Sequence, residues 1–175
     1  GRESVSVTEK KLTQHLCGAT RQGHFDGVCS VVTKLFNIIK PTTAVFGKKD
    51  YQQLAIIKQL VSDLNFSIEI IGAETTREQD GLAISSRNRF LSTEERKQSS
   101  AIHEALVAMT LNPEKQCSEL ITLGKSIIES EAPLSRIDYL EIVDRQTMEP
   151  IQTIDRPALA AVAIFLGNTR LIDNI

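Results

Sequence analysis

The sequence predicts an α/β fold, in which part of a parallel sheet is followed by a small α+β domain. In the first half, helical and strand-like segments alternate with tight loops, which is the pattern of a βαβ unit. In the second half, two helical segments precede about three strand-like segments, which is typical of an α+β domain. We place the boundary near Glu74, giving domains 1–73 and 74–175.

The first half contains helix, strand, helix and strand in that order. The hydrophobic periodicity and the helix-breaking residues predict helices at 25–39 and 50–64 and strands at 43–46 and 66–71. A short strand at 4–7 is also possible. The apolar stripe of the first helix consists of Val28, Val31, Val32, Leu35, Phe36 and Ile39. Two strands are fewer than a stable doubly wound sheet needs, so we expect further strands before Gly1.

The second half begins with a polar segment, residues 72–90, which is long for a loop in a compact domain. Ser92 and Glu95 then form the sequence signature of a capping box. The remaining elements are helices predicted to run to about residue 109 and over 113–130, followed by strands at 137–143, 158–165 and 169–172. We expect the polar segment to be mobile without ligand and to close on a bound group.

Composition limits the possible functions. Hydrophobic residues make up 41% of the chain and charged residues 24%, which excludes a disordered chain. The net charge is −2 and no basic stripe occurs, so a nucleic-acid partner is not expected. The apolar runs are too short to span a bilayer. The three cysteines include no C-x-x-C pair, so we expect reduced thiols in a cytoplasmic protein and no metal site.

The first candidate site is Gly47, Lys48, Lys49 and Asp50, where a strand ends and a helix begins. Open parallel sheets bind ligands at this edge, and a helix N-terminus offers free N–H groups to an anion. A lysine there stabilises charge on a phosphoryl group. A solvated turn with Asp50 as the helix N-cap remains the alternative on spacing alone.

The second candidate is the run I-S-S-R-N at 84–88, where two hydroxyls and a guanidinium lie together. Arginine binds phosphate in a forked geometry, and serine can donate a hydrogen bond to it. A polar loop stabilised by serine turns is the alternative.

A third candidate is His24, just ahead of the first predicted helix, which is either an acid, base or ligand or part of a helix-entry turn. Gln52 and Gln53 lie in the first turn of the second helix, where an amide could reach a bound ligand. We interpret Gln52 as a surface residue.

Together these motifs resemble those of the pantothenate synthetases, the pantoate–β-alanine ligases. The run R-Q-G-H-F-D-G-V at 21–28 is similar to their R-P-G-H-F-x-G-V, and F-G-K-K-D-Y-Q-Q-L at 46–54 to their F-G-E-K-D-x-Q-Q-L. The run D-G-L-A-I-S-S-R-N at 80–88 is similar to their D-G-L-A-x-S-S-R-N, and the ending R-L-I-D-N at 170–174 also matches.

The resemblance implies an incomplete Rossmann-like fold of the nucleotidyl-transferase group, followed by the small α+β domain. It implies attack of pantoate on ATP to give pantoyl adenylate and pyrophosphate, and then displacement of AMP by β-alanine. ATP would act with Mg²⁺, and the enzyme would be a cytoplasmic homodimer with small-molecule substrates and no nucleic-acid or membrane partner.

The resemblance also implies roles for individual residues. Lys49, Ser85, Ser86 and Arg87 would be catalytic, and Gln53 would bind pantoate. The residues implied in ATP binding are Gly47, Lys48, Lys49, Asp50, Thr76, Ile84, Ser85, Ser86 and Arg87. The run 84–87 would correspond to the mobile K-M-S-K-S loop of this group.

The chain also departs from the family pattern. Gln22 stands in place of the usual proline and Lys48 in place of the usual acid, which leaves the roles of His24 and Lys48 open. The family's early H-x-G-H motif does not occur, so we expect about 100 residues to be missing at the N-terminus and the chain alone to be inactive. The competing hypotheses are another adenylate-forming nucleotidyl transferase and a non-catalytic folded module.

Overall fold

The computed structural model describes residues 4–112, 114 and 116–175. The chain divides into two compact units. The first unit comprises Gly1–Glu74 together with Gln146–Glu149, and the second comprises Thr75–Arg145 and Pro150–Ile175. The four residues from 146 to 149 therefore group with the first unit, although they lie far along the chain.

The first unit contains a two-stranded parallel sheet with its crossover helix. Its elements are α1 (Leu16–Thr20), α2 (His24–Ile39), β1 (Thr43–Gly47), α3 (Tyr51–Asp63) and β2 (Glu69–Ala73). β1 and β2 pair in parallel from Thr43 opposite Glu69 to Gly47 opposite Ala73. Both strands therefore end at the same edge of the sheet, as the order strand, helix, strand requires.

Helix α2 forms where the periodicity predicts it, but it buries only part of the predicted stripe. Its buried residues are Phe25, Cys29, Val32 and Phe36, whereas Val31, Leu35 and Ile39 of the predicted stripe are exposed. The buried set has the narrow spacing of three and four residues that follows a single helix face. Val32 and Phe36 of the predicted stripe are buried as expected, and the exposed members were predicted wrongly because α2 carries apolar residues on two faces.

Three further expectations for the first unit need correction. Among the described residues, 4–7 form no strand, and the short helix α1 was not predicted. β2 begins at Glu69 and not at residue 66, and the Phe66 ring, ahead of the strand, lies against Phe36 with the ring centroids 5.7 Å apart.

The second unit contains three helices and an antiparallel sheet. Its elements are α4 (Thr93–Gln98), α5 (Ala101–Thr110), α6 (Cys117–Glu131), β3 (Ser135–Asp144), β4 (Ala158–Leu166) and β5 (Thr169–Asn174). Two of the helices, α5 and α6, pack on the sheet. The strand order is β3-β4-β5, so β4 is central. The parallel sheet followed by a separate small antiparallel sheet confirms the predicted fold class.

The predicted single helix from Ser92 is two helices. The capping box of Ser92 and Glu95 is present at the start of α4, as predicted. The helix ends at Gln98 because the Ser99 hydroxyl donates to the Arg96 carbonyl, and Ser99 is fully buried. Such local bonds of serine compete with the helical backbone pattern. The last predicted helix begins at Cys117, and Pro113, its predicted first residue, lies outside the described residues.

The core of the second unit lies between α5, α6 and the inner face of the sheet. It includes Ile102, Leu106, Leu120, Ile128 and Ile164, each with 1% or less of its surface exposed. Within the residues that the structure describes, no helix is long and apolar enough to cross a membrane.

Candidate active site

The turn from β1 into α3 holds the candidate site residues of the first unit. Gly47 is the last residue of β1 and has an extended backbone, Lys48–Asp50 form one turn of 3-10 helix, and α3 begins at Tyr51. We call Gly47, Lys48, Lys49 and Asp50 the βα turn. Asp50 takes the N-cap position, but its side chain makes no capping hydrogen bond. Asp50 therefore occupies the N-cap position, as the solvated-turn interpretation expects, but its carboxylate does not cap α3.

The two lysines of the βα turn point in different directions. Lys48 Nζ pairs with the Glu74 carboxylate, and its aliphatic chain lies 3.4 Å from the point where a Cβ on Gly72 would stand. The Lys49 side chain is only 15% exposed, and its Nζ lies 3.9 Å from Asp50 Oδ2. The ammonium of Lys48 is thus directed along β2, whereas that of Lys49 stays beside the start of α3.

Gln52 and Gln53 have opposite environments. Gln52 is buried, and its Nε2 donates to the carbonyls of Leu12 at 2.7 Å and His15 at 2.8 Å. The interpretation of Gln52 as a surface residue was wrong, because this amide ties the loop before α1 to the first turn of α3. Gln53 is half-buried, and no hydrogen bond joins its side chain to the described residues.

The polar segment after β2 is more regular than its composition suggests. Its first two residues belong to β2, and residues 76–84 form a tight hairpin, with Arg77 opposite Ala83 in an antiparallel bridge. The Ile84 N–H donates to the Thr76 carbonyl at 2.9 Å. Two residues of the predicted ATP set are therefore brought together by backbone pairing. The mobility expected of this segment stays a prediction.

A buried ion pair fixes this hairpin to β5. The Arg77 guanidinium binds both carboxylate oxygens of Asp173, at 2.6 and 3.0 Å, and the Asp173 side chain is completely buried. The same guanidinium donates to the Gly81 carbonyl at 2.9 Å. Such forked pairing is both strong and directional, so it sets the orientation of the hairpin.

The tip of the hairpin requires a glycine. Gly81 has φ of +89°, and a Cβ there would lie 2.1 Å from Cδ2 of His103. His103 Nδ1 is buried with no hydrogen-bond partner among the described residues and lies 3.8 Å from Asp173. Burial lowers the pKa of His103, and the positive charge of Arg77 lowers it further. The imidazole is therefore held in its neutral form against the hairpin.

Ser85, Ser86 and Arg87 follow the hairpin directly, and we call them the serine turn. Ser85 Oγ accepts from the Arg87 N–H at 3.2 Å, which is the local bond that the polar-loop interpretation predicted. Ser86–Phe90 form a 3-10 helix. Ser86 and Arg87 are exposed, so the hydroxyl and the guanidinium are presented on the surface of the second unit.

The predicted site residues thus form two groups, one on each unit. The first unit holds Gly47, Lys48, Lys49, Asp50 and Gln53 at the end of β1 and the start of α3, and the second holds Thr76, Ile84, Ser85, Ser86 and Arg87 in and after the hairpin. His24 begins α2 directly after Gly23, which has φ of +73°, as the helix-entry interpretation expects.

Comparison with known proteins settles the family. The model for Pantoate-beta-alanine ligase matches residues 3–175. The chain belongs to this family. A pantothenate synthetase of Thermosipho africanus is 48% identical over 98% of the chain, and one of Akkermansia muciniphila is 48% identical over the whole chain. The alignments cover 62% and 63% of those relatives' own lengths, so the chain spans about three fifths of them.

Solved structures of pantothenate synthetases have the same fold. The enzyme of Thermus thermophilus superposes with a TM-score of 0.93 at 40% identity, over 98% of this chain and 63% of that one. The ligase of Francisella tularensis superposes with a TM-score of 0.75 at 30% identity, over 98% and 57% of the two chains. The latter is a complex with beta-gamma ATP and β-alanine.

Sequence reasoning missed the residues that hold the candidate site in place. Arg77 and Asp173 are 96 positions apart, and nothing in their spacing indicates a contact. Gln52 was passed over because a glutamine in a first helical turn is usually exposed. Gln52, Asn88 and Asp173 lie within motifs shared with the family, but no structural role was predicted for any of them.

Proposed function

We propose that this chain supplies part of the active site of a ligase that condenses pantoate with β-alanine. The reaction consumes ATP and gives pantothenate, AMP and pyrophosphate. The main support is the match to the Pantoate-beta-alanine ligase family over residues 3–175. The Francisella relative, whose structure is a complex with beta-gamma ATP and β-alanine, supports the substrates.

The proposed first step is adenylation of pantoate. A carboxylate oxygen of pantoate attacks the α-phosphorus of ATP, the bond to the bridging oxygen breaks, and pyrophosphate leaves. The amine of β-alanine then attacks the acyl carbon of pantoyl adenylate, AMP leaves, and the amine loses a proton. Neither step needs a covalent intermediate on the enzyme, so catalysis depends on positioning and charge stabilisation.

The βα turn is proposed to bind ATP and pantoate. Lys49 would hold the phosphates with its ammonium, whereas Lys48, already paired with Glu74, would contribute its backbone N–H. Gln53 has a half-buried amide that no described residue binds, which suits a pantoate ligand. Free N–H groups at the start of α3 would add to the binding of the anion.

The serine turn is proposed to bind the phosphates from the second unit. Ser86 and Arg87 are exposed and supply one hydroxyl and one guanidinium. Ser85, Thr76 and Ile84 lie beside them and complete the proposed ATP contacts. Charge that develops on the leaving pyrophosphate would be stabilised by the Arg87 guanidinium.

ATP is proposed to enter as its Mg²⁺ complex. Among the described residues, no group of three His, Cys, Asp or Glu side chains is arranged to hold a metal ion. Mg²⁺ is commonly bound through substrate phosphates with one or two carboxylates. The ion is accordingly assigned to the nucleotide, and the protein would bind the pair.

The proposal includes a cytoplasmic homodimer with small-molecule substrates and neither a nucleic-acid nor a membrane partner. Light scattering of the enzyme at micromolar concentration would measure its mass, and fractionation of cells would measure its location. A monomeric enzyme or one recovered with membranes would contradict this part alone and leave the proposed chemistry unaffected.

Labelled pantoate tests the reaction and its route together. Pantoate carrying ¹⁸O in its carboxylate is incubated with ATP, β-alanine and an active enzyme that contains this chain. The adenylate route predicts one ¹⁸O in the AMP phosphate and unlabelled pyrophosphate. Label in inorganic phosphate with formation of ADP would overturn the adenylate route. Products from other carboxylic acids, and none from pantoate, would favour a different adenylate-forming enzyme, and no nucleotide turnover would favour a non-catalytic module.

We also propose that the 175-residue chain alone makes no pantothenate. The H-x-G-H motif of the family is absent from its sequence, and groups that act as a unit lose activity out of proportion to the part removed. A sample of verified mass is assayed for pantothenate beside an active relative. Turnover by the 175-residue chain would show that the catalytic groups are assigned wrongly.

A further inference from the structure

The serine turn is held at both ends by contacts of neighbouring residues. On its N-terminal side Leu82 and Ala83 are buried, and the Ile84 N–H is bound to the Thr76 carbonyl. On its C-terminal side Asn88 Nδ2 donates to the Ala83 carbonyl at 3.2 Å. The Asn88 side chain therefore joins the backbone before the serine turn to the backbone after it.

Asn88 is itself held by a set of charged side chains. Its Nδ2 also donates to Glu78 Oε1 at 3.1 Å, and Glu78 Oε2 accepts from Arg96 at 2.6 Å. The other guanidinium nitrogen of Arg96 donates to Asp80 at 2.6 Å. We call Glu78, Asp80, Asn88 and Arg96 the anchoring cluster, which connects α4 to the hairpin and the hairpin to the serine turn.

The charge balance of the cluster keeps it intact near neutral pH. Hydrogen bonds from Arg96 lower the pKa of both Glu78 and Asp80, so both carboxylates stay ionised. Each carboxylate oxygen of Glu78 has its own donor, Asn88 on one side and Arg96 on the other. The Asn88 amide thus donates to the Glu78 carboxylate, and the Arg96 guanidinium holds that carboxylate from its other side.

We propose that Asn88 is a positioning residue for the serine turn, and that Glu78 and Arg96 act through it. The inference rests on the proposed function, because it assumes that Ser85, Ser86 and Arg87 contact the phosphates of ATP. In this proposal Asn88 acts on the serine turn and not on the substrate itself. It sets where the Arg87 guanidinium and the serine hydroxyls stand before ATP arrives.

The prediction is a selective loss in the first half-reaction. Displacement of groups that align a reaction by about 1 Å can cost on the order of 100-fold in rate. The second half-reaction, displacement of AMP by β-alanine, takes place after pyrophosphate has left. A defect in the serine turn should therefore slow adenylation and leave the reaction of supplied pantoyl adenylate unchanged.

The main variant is Asn88→Asp in the active enzyme that contains this chain. It keeps the size of the side chain but turns the donor into a carboxylate facing Glu78 Oε1 and the Ala83 carbonyl. We expect kcat for pyrophosphate release to fall about 10- to 100-fold, more than KM for ATP rises. Asn112→Asp is the matched control, since Asn112 Nδ2 donates to the Ala108 carbonyl at 2.8 Å outside the anchoring cluster.

A second variant reaches Asn88 from the far side of the cluster. Arg96→Lys keeps the charge but cannot donate to Glu78 and Asp80 in a fork. Arg96 is about one third exposed, so the variant should fold. Arg96→Lys should also slow adenylation only, by a smaller factor than Asn88→Asp. The double variant should lose no more adenylation rate than Asn88→Asp alone. Lys97→Ala, which removes an exposed pair with Glu94, should leave both half-reactions unchanged.

The outcomes separate this inference from the proposed function. If the parent enzyme does not release pyrophosphate from pantoate and ATP, the proposed function fails. If the parent is active and Asn88→Asp slows both half-reactions by the same factor, Asn88 is not a positioning residue. The same conclusion follows if Asn88→Asp slows neither half-reaction. Independent effects of Asn88→Asp and Arg96→Lys that multiply in the double variant would also overturn the connection between them.

Discussion

The βα turn and the serine turn are held in place by different means. The βα turn is part of regular structure, since β1 ends in it, α3 begins from it, and both elements are fixed by backbone bonds and apolar packing. The serine turn follows a hairpin whose position depends on side chains from α4, α5 and β5. The βα turn is thus determined by local backbone patterns, and the serine turn by charged contacts distant in sequence.

The ion pairs beside the two turns differ in burial. Lys48 pairs with Glu74, whose side chain is 83% exposed, whereas Arg77 pairs with Asp173, whose side chain is wholly buried. Exposed pairs contribute little to stability, and a buried pair becomes costly when one partner is removed. The same type of contact is therefore expected to matter for folding in the second unit only.

The largest expected effect is the loss of stability in Arg77→Met. Asp173 would keep a buried carboxylate without its cation, which should lower the free energy of unfolding by about 3–5 kcal/mol. The matched variant, Lys48→Met, should change it by about 0–1 kcal/mol. Urea unfolding followed by circular dichroism measures both. Equal losses in the two variants would show that the two units do not differ in this way.

The next effect concerns the two lysines of the βα turn. In the active enzyme, Lys49→Ala should cost roughly 2.7–4 kcal/mol of transition-state stabilisation, or about 100- to 1000-fold in the rate of adenylation. Lys48→Glu should stay within about tenfold of the parent, below the roughly 1.4 kcal/mol that a tenfold change represents. Steady-state pyrophosphate release measures both rates. The reverse order would mean that the alignment of this turn with the family's lysine is wrong.

A smaller effect separates the neighbouring glutamines. Gln52→Met leaves the carbonyls of Leu12 and His15 without their donor and should lower the free energy of unfolding by about 1–3 kcal/mol. Gln53→Met should change stability by no more than about 0.5 kcal/mol but raise KM for pantoate. Urea unfolding and pantoate titrations, run on both variants, should give opposite patterns. A pantoate defect confined to Gln52→Met would reverse the assignment.

The smallest effect is a pH dependence in the second unit. Because the pKa of His103 is lowered in the folded state, the unfolded chain binds its proton first as the pH falls. The contribution of neutral His103 to the free energy of unfolding should therefore be complete above the ordinary histidine pKa of about 6.5. It should decline as the pH drops from there towards the pKa of His103 in the folded state. His103→Gln should show a flatter profile between about pH 7.5 and 5. Parallel profiles of the two proteins would rule out His103 as the source.

The sequence was most informative where structure is local. The order of helices and strands, the capping box of Ser92 and Glu95, and the position of Gly47 at the end of a strand all follow from periodicity and turn chemistry. Prediction failed where two local patterns competed, as at Ser99, and where one helix carried apolar residues on two faces, as at α2. Such cases depend on which partner is packed against an element, and periodicity carries no information on the partner.

By itself, the sequence determined the fold class, the family and the identity of most candidate site residues, because these depend on short motifs and their order. Only the tertiary structure decided which side chains hold those residues in place. The contacts of Arg77 with Asp173, Gln52 with Leu12, and Arg96 with Glu78 join positions 18 to 96 residues apart. Hydrogen bonds and ion pairs act over a few ångströms in space, so separation along the chain does not reveal them.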